Sequence, residues 1–208
     1  MAVSVKEFRD NLLAGGALTP EGIHHEFVGG AHGRKLDFDS FPSDSSLFEE
    51  WVEVNAREVH KLYVTQGVGR LALVSVAEGT DRLVPIVAAE VGHGVVAVIT
   101  EKVTAKSVRL TKPAREVLRA IRPATAVALE DVGTAGTTSA SAVTDLRQVG
   151  VPRVEVLNTW QRQVRLPRLE EIGAAYNSII KEVLPTLVPK DCTEKGYCAQ
   201  GWQLILHE

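Results

Sequence analysis

Continuous apolar runs recur along the chain and predict buried strands. They lie at residues 71–77, 95–99, 126–129 and 151–157. A strand that is covered on both faces of a sheet has no polar side, so such runs do not alternate with polar residues. Between the runs, residues 83–91 and 139–149 have the pattern of helices. This order predicts an α/β fold, a central parallel sheet of about five strands with helices on both faces.

The two ends of the chain carry shorter patterns. Apolar positions at helical spacing predict a helix over residues 3–14 and another from residue 47 to about 63, with Ser46 as the cap of the second. Residues 24–39 are typical of two short strands around a Gly-Gly-Ala-His-Gly turn. Residues 169–183 fit either a helix or a turn followed by a strand.

Residues 125–142 combine the features of a phosphate site. The apolar run leads into two adjacent acids, Glu130 and Asp131, and then into a loop of small residues before a helix. Ligands of open α/β sheets lie beyond the carboxyl ends of the strands, and a helix N-terminus offers unpaired N–H groups to an anion. Gly136 allows close approach of the backbone. The acids would repel a phosphate, so they fit neighbouring hydroxyls, such as a ribose 2′ and 3′ pair, or hydrated magnesium.

Composition narrows the class of protein. The chain has 208 residues, a length that suits one domain with a hydrophobic core. Its content of 45% hydrophobic and 24% charged residues is ordinary for a globular protein. With a formal charge of -3, the chain lacks the excess of basic residues that is typical of nucleic-acid-binding proteins. No apolar run reaches the length of a membrane helix, and the N-terminus lacks the apolar region of a signal peptide. We therefore expect a cytoplasmic protein without nucleic-acid or membrane partners.

The cysteines, Cys192 and Cys198, both lie in the tail. They could form a disulfide or supply half of a zinc site, but two reduced thiols are the expectation, and no metal site is predicted. His207 is the one nearby histidine that would serve as a third ligand, and no fourth is evident in the sequence.

The stretch from Glu130 to Thr137 resembles the phosphoribosyl-pyrophosphate loop of type I phosphoribosyltransferases. Its Thr-Ala-Gly-Thr core is most similar to that of the orotate phosphoribosyltransferases. The resemblance implies that Glu130 and Asp131 bind the ribose hydroxyls. It also implies that the following turn holds the 5′-phosphate, through Thr134, Ala135, Gly136, Thr137 and Thr138.

The resemblance also implies a pyrophosphate site. In the family the turn after the first buried strand meets pyrophosphate, which here points to Gly79 and Arg82, although Glu78 and Asp81 make this turn acidic. A mobile basic loop after the second strand closes over the reaction. Its counterparts here are Lys102, Lys106 and Arg109. Lys102, Lys106 and Asp131 are the candidate catalytic residues.

Base recognition rests on a looser match. An N-terminal hairpin covers the base in the family, which here points to Lys35 for charge and Phe38 for stacking. The family often ends the strand after the central helix with Asp-Arg, whereas this chain has Asn158-Thr159-Trp160-Gln161-Arg162. Arg162 could supply the charge from a shifted position, and Trp160 could stack.

The function that the resemblance implies is transfer of the phosphoribosyl group of phosphoribosyl pyrophosphate to a nucleobase, with orotate as the expected base, in pyrimidine biosynthesis. Mg²⁺ is the implied cofactor and a homodimer the implied assembly. The implied organisation is a single domain, with a core of residues 46–164 and a small hood from residues 15–45 and 165–208. The alternatives are transfer to another base, a non-catalytic regulator that binds phosphoribosyl pyrophosphate, and a pure interaction module.

Overall fold

A computed structural model describes residues 2–27, 30–64, 69–76, 78–92 and 94–206. The strands are β1 (Ile23–Glu26), β2 (His32–Gly33), β3 (Leu71–Ser75), β4 (Val95–Val98), β5 (Thr100–Thr104), β6 (Ser107–Leu110), β7 (Thr125–Gly133), β8 (Arg153–Gln161), β9 (Ala175–Lys181), β10 (Thr186–Leu187) and β11 (Gln203–Ile205). The helices are α1 (Val5–Ala14), α2 (Ser46–Val59), α3 (Leu83–Val91), α4 (Lys112–Ile121), α5 (Thr137–Gln148), α6 (Pro167–Glu171) and α7 (Pro189–Lys195).

The main sheet contains five parallel strands in the order β4-β3-β7-β8-β9, which confirms the predicted sheet. All residues of β3 are buried, as its apolar run predicted. Alternate side chains of this strand enter two different cores. Leu73 packs with residues of α1, α2 and α3, and Val74 packs with residues of α4 and α5. Helices therefore cover both faces of the sheet.

The two central strands are longer than the apolar runs predicted. Strand β7 continues through Gly133 and β8 through Gln161, because the two strands keep pairing in parallel, with Glu130 beside Asn158 and Gly133 beside Gln161. The acid pair therefore lies within the second half of a strand and not after it. Pairing to a neighbour, which satisfies the backbone, carries the strands past the point where the sequence turns polar.

A second, smaller sheet joins the two ends of the chain in the order β10-β2-β1-β11. Strands β1 and β2 form a hairpin in the predicted region, but β2 (His32–Gly33) lies within the stretch that was predicted to be the turn. Strand β11 from the tail pairs in parallel with β1. However, the predicted C-terminal part of the hood, residues 165–208, begins too early in the chain. Strand β9 belongs to the main sheet, so only the chain beyond it contributes to the small sheet.

Three further predictions are settled by local structure. Helix α2 is capped by Ser45, whose hydroxyl accepts a hydrogen bond from the Phe48 N–H, and not by Ser46. Residues 169–183 contain the end of α6 and then β9, which is the turn-and-strand alternative. No helix in the described part of the chain is long and apolar enough to cross a membrane.

The predicted basic loop is a β-hairpin formed by β5 and β6. Two side chains of α5 hold this hairpin from the core side. The Ser141 hydroxyl accepts from the Val108 N–H at 2.9 Å, and the Asp145 carboxylate accepts from the Leu110 N–H at 2.6 Å. The tip of the hairpin, Ala105 and Lys106, is directed towards the carboxyl edge of the main sheet, where both residues line a cavity.

Candidate functional site

A cavity of about 480 Å³ lies at the carboxyl edge of β7, beneath the small sheet. The cavity is enclosed by the end of β7, the first turn of α5, the β5–β6 tip, the N-terminal hairpin region, the residues that follow β8, and β10. The lining residues are Phe27, Ala31, Lys35, Leu36, Ala105, Lys106, Glu130, Asp131, Val132, Thr134, Ala135, Thr137, Thr138, Arg162, Gln163 and Thr186. Nine of the residues that the sequence singled out are therefore brought together.

The acid pair is held in an environment that favours protonation. Burial, together with the neighbouring charge of Asp131, raises the pKa of Glu130 to about 8, although the Ser139 hydroxyl donates a hydrogen bond to it. Burial also raises the pKa of Asp131 to about 6, opposed by the Val132 N–H, which donates to Oδ1 at 2.7 Å. Neither carboxyl group is paired with a cation among the described residues, and such groups suit hydroxyl ligands or a divalent cation.

The turn after the acids has the geometry of an anion site. Gly136 precedes α5 with a φ of 75°, a left-handed conformation that other residues rarely adopt. A Cβ at Gly136 would lie 2.9 Å from Cγ of Leu169, so space as well as conformation requires glycine. The N-terminus of the twelve-residue α5, with Thr137 and Thr138 in its first turn, therefore opens on the cavity.

The acidic turn after β3 adjoins the acid pair. A Cβ at Gly79 would lie 2.7 Å from Oδ2 of Asp131 and 3.2 Å from Oδ1 of Asp39, so only glycine permits this approach. Arg82, which was predicted to bind pyrophosphate, does not line the cavity. Its guanidinium donates to the Phe38 and Phe41 carbonyls and stacks on the Phe48 ring, 4.8 Å from the ring centroid. Arg82 thus fixes the segment 38–41 in place.

The three basic residues of the β5–β6 hairpin have different surroundings. Lys106, at the tip, lines the cavity. The Lys102 ammonium pairs with Glu78 at 3.2 Å, and Arg109 pairs with Glu101 at 2.6 Å. All three side chains are exposed. Of these three residues, only Lys106 lines the cavity that contains the acid pair and the first turn of α5.

Arg162 also lines the cavity. It follows directly on β8, and its guanidinium lies over the Phe27 ring, 4.7 Å from the centroid. Nη2 donates to the Arg34 carbonyl at 3.1 Å, while Nε is buried without a partner among the described residues. Burial lowers the pKa of Arg162 to about 10, so the group remains charged at neutral pH. A nearly buried cation with an unsatisfied donor suits an anionic ligand.

Lys35 also lines the cavity, on the side of the N-terminal hairpin. Its ammonium lies 3.7 Å from the Asp37 carboxylate, in a half-exposed pair that leaves the charge accessible.

Two aromatic residues predicted to stack on a base do not do so. Phe38 is 1% exposed and packs against Trp51, with ring centroids 4.9 Å apart. Trp160 is fully buried, and its Nε1 donates to the Glu182 carbonyl at 3.0 Å. Neither side chain lines the cavity, because both belong to the core between α2 and the main sheet.

Sequence reasoning missed Phe27, Gln163 and Thr186. Phe27 directly follows β1, and no neighbouring residue in the sequence marks it as part of a site. Thr186 lies in β10, which reaches the cavity only because it pairs with β2. A search for polar residues at strand ends would have found Gln163, which follows Arg162.

The structure resembles known phosphoribosyltransferases, although no protein-family model and no curated protein sequence matches the chain. Orotate phosphoribosyltransferase from Aeropyrum pernix matches with a TM-score of 0.61 at 19% identity, covering 89% of this chain and 96% of that one. Adenine phosphoribosyltransferase from Saccharomyces cerevisiae matches with a TM-score of 0.59 at 14% identity, covering 84% and 99%. Orotate phosphoribosyltransferase from Mycobacterium tuberculosis H37Rv matches with a TM-score of 0.58 at 13% identity, covering 85% and 95%.

The chain therefore has the type I phosphoribosyltransferase fold. At these identities the likeness concerns the fold alone, and the similar structures include enzymes named for two different bases.

Proposed function

We propose that this protein transfers the phosphoribosyl group of phosphoribosyl pyrophosphate to a nitrogen of a nucleobase, with orotate as the base, and releases pyrophosphate. One observation carries the proposal. A single cavity contains an acid pair, a helix N-terminus behind a left-handed glycine, a lysine at a hairpin tip and a nearly buried arginine. These are the groups that ribose, phosphate, pyrophosphate and an anionic base each require.

The phosphoribosyl group would bind between β7 and α5. The 5′-phosphate would accept hydrogen bonds from the backbone N–H groups and hydroxyls of Thr134, Thr137 and Thr138. Glu130 and Asp131 would accept hydrogen bonds from the 2′ and 3′ hydroxyls. Binding in this orientation fixes C1′ below the hood, where the base must approach.

Mg²⁺ fits the chemistry of the donors near pyrophosphate. Asp131 and Asp39 both approach Gly79, and Asp39 is one of the charges that raise the pKa of Asp131. Such a concentration of negative charge would repel pyrophosphate unless a divalent cation lay between them. Asp131 would hold the hydrated ion from the protein side. When bound, Mg²⁺ supplies neutralisation of the charge that collects on pyrophosphate.

The reaction requires positioning and electrostatic stabilisation. The C1′–oxygen bond breaks with its electron pair passing to pyrophosphate, and a lone pair of a base nitrogen forms the new bond to C1′. The proton that this nitrogen carried is then released. The Lys106 ammonium, on the cavity wall, would stabilise the developing charge on pyrophosphate, and the carboxylates would hold the ribose as positive charge develops at C1′.

The Arg162 side of the cavity favours orotate as the base. Arg162 provides a cation that a carboxylate can pair with, and its buried Nε has no partner among the described residues. Phe27, which lies beneath the guanidinium, offers an aromatic face at the same wall. A neutral base such as adenine would leave this charge uncompensated in a buried position, which costs affinity.

A non-catalytic regulator that binds phosphoribosyl pyrophosphate is the second candidate. The acidic turn favours it: Glu78 holds Lys102 in an ion pair, and Arg82 is used by backbone carbonyls of the segment 38–41. Fewer cations are then directed at pyrophosphate than the sequence suggested. This alternative predicts binding without turnover.

The first experiment is an ultraviolet assay of orotate consumption with phosphoribosyl pyrophosphate and Mg²⁺, with calorimetric titration of phosphoribosyl pyrophosphate alongside. Asp131→Asn should nearly abolish binding and turnover, whereas Asp44→Asn, at an exposed loop position, should change neither. Turnover of adenine but not orotate would reject the assignment of the base. Binding without consumption of any base would reject the enzyme in favour of the regulator. Normal binding by Asp131→Asn would reject the site itself.

The fold resemblance further leads us to propose a homodimer, which sedimentation equilibrium would test directly.

A further inference from the structure

Four metal-binding side chains meet where the small sheet packs against α7 and the turn after it, and none of the four lines the cavity. His24, His32, Cys192 and Cys198 place one ligand atom each within 4.8 Å of one another. The first three residues are buried and Cys198 is half-buried. The cysteines are not joined in a disulfide, since their Sγ atoms lie 3.3 Å apart.

The separations match those of ligands around one tetrahedral ion. Cys198 Sγ lies 3.3 Å from His24 Nε2 and 3.4 Å from His32 Nδ1, and Cys192 Sγ lies 3.8 Å from His24 Nε2. Zinc bond lengths to sulfur and nitrogen in a tetrahedron imply ligand separations of about 3.3 to 3.8 Å. Two thiolates and two imidazoles are a ligand set that zinc favours over calcium or magnesium.

The fold brings these ligands together from the two ends of the chain. His24 and His32 lie on the paired strands β1 and β2, with ring centroids 5.4 Å apart. Cys192 lies in α7 and Cys198 in the turn after it, where the Cys198 N–H donates to Cys192 Sγ at 3.3 Å. Such an N–H to sulfur bond stabilises a thiolate, the form of cysteine that binds metal.

We propose that these four residues bind one structural Zn²⁺ ion that fastens the N-terminal hairpin to the C-terminal segment. Four protein ligands complete the tetrahedron, so the ion has no open position for a substrate. The inference does not depend on the proposed transferase activity.

The ion would also support one wall of the cavity. Gly33, next to His32, is packed so closely that a Cβ there would lie 3.0 Å from Arg162 Nη2 and 2.7 Å from the Phe27 ring. Phe27 and Arg34, which both contact Arg162, directly flank this hairpin in the sequence. Loss of the ion would therefore loosen both contacts.

The test begins with metal content. Untagged full-length protein, purified under reducing conditions without added zinc, should contain about one zinc per chain by plasma mass spectrometry. Replacing the zinc with Co²⁺ should give the visible bands of tetrahedral cobalt and near-ultraviolet thiolate-to-cobalt charge transfer. Because these bands come from the wild-type chain, they do not depend on any variant folding correctly. A strong chelator should lower the melting temperature by about 10 °C or more.

Variants then assign the ligands. Cys198→Ser and His24→Ala should lose the metal and the charge-transfer band, whereas His60→Ala, at an exposed helical position, should retain both. Metal-free protein that gives no cobalt charge transfer would overturn the proposal. A Cys192–Cys198 disulfide in freshly purified protein, or equal loss of metal in His60→Ala, would also overturn it.

Discussion

The guanidinium carbon of Arg162 lies 4.7 Å from the centroid of the Phe27 ring, and this contact joins the end of a central strand to the N-terminal hairpin. The two residues are 135 positions apart in the chain. Together they form a cationic and aromatic wall of the cavity that also contains the acid pair. This wall is what the proposed choice of orotate depends on.

Arg162→Gln should weaken orotate binding by roughly ten- to a hundredfold, because a charged hydrogen bond to the base carboxylate is lost. The KM for orotate should rise by this factor, while binding of phosphoribosyl pyrophosphate should change little. Arg165→Gln is the matched control, since Arg165 is exposed and paired with Glu170. Equal effects of the two changes on the KM for orotate would contradict the assignment.

Phe27 and Phe38 should respond in opposite ways to truncation. Phe38→Ala removes a fully packed side chain and should cost about 3 to 5 kcal/mol of unfolding free energy, leaving the KM for the base nearly unchanged. Phe27→Ala should cost less stability, because Phe27 is half-exposed, and should raise the KM for the base. Urea unfolding and steady-state kinetics on both variants provide the check. A raised KM in Phe38→Ala at unchanged stability would restore the stacking role.

Lys106→Ala should lower kcat by roughly ten- to a hundredfold with little change in stability, since the side chain is exposed and lies on the cavity wall. Lys102→Ala should have a smaller effect, because Lys102 is paired with Glu78. The exposed Lys112 provides a control for the general loss of positive charge. A larger loss of kcat in Lys102→Ala than in Lys106→Ala would show that the hairpin binds pyrophosphate in another arrangement.

Gly136 substitutions should destabilise the protein as well as the phosphate site. Gly136→Ala forces a left-handed conformation and a contact with Leu169, for a cost of about 1 to 3 kcal/mol. Gly150→Ala is a matched control with a φ of 92° but no atom within 4 Å of the new Cβ, so it should cost less. Thermal unfolding of both variants tests the difference. Equal costs would mean that the Leu169 contact is relieved by relaxation.

The acid pair should make the ligand-free protein less stable as pH rises. The pKa of Glu130 is raised from 4.5 to about 8, so between these values the folded protein holds more protons than the unfolded chain. The free energy of unfolding therefore falls with increasing pH across this window, by on the order of a few kcal/mol. Glu130→Gln should flatten this slope when the free energy of unfolding is measured by urea titration between about pH 5 and pH 8.5.

The exposed Glu171→Gln is the control for that titration and should keep the slope of the wild-type protein. An unchanged slope in Glu130→Gln would show that other groups carry the pH dependence.

The sequence was sufficient for the parallel sheet and for the strand-turn-helix arrangement of β7 and α5. Apolar runs such as residues 71–77 report burial on both faces, which is a local property of the chain. The order of strand, acids, glycine and helix places Glu130, Asp131 and Gly136 at one edge whatever the rest of the chain does. These residues are neighbours in the sequence, so local geometry is enough to assemble them.

Only the tertiary structure decided where long-range partners meet. Phe38 has the side chain for stacking on a base, and Arg82 has the charge for binding pyrophosphate. Phe38 instead packs against Trp51, and Arg82 donates to backbone carbonyls of the segment 38–41, so neither lines the cavity. Pairing with β7 extended β8 and thereby carried Arg162 to the cavity edge.

The two cysteines are the clearest instance of this limit. The sequence offered His207 as a third ligand, a residue outside the described part of the chain, and no fourth. The structure instead brings in His24 and His32, more than 150 residues away, because β1 pairs with β11 and β2 with β10. The sequence by itself determined the elements and the sites built from consecutive residues. The sites built across the fold depend on strand pairing and side-chain packing, which a one-dimensional pattern does not encode.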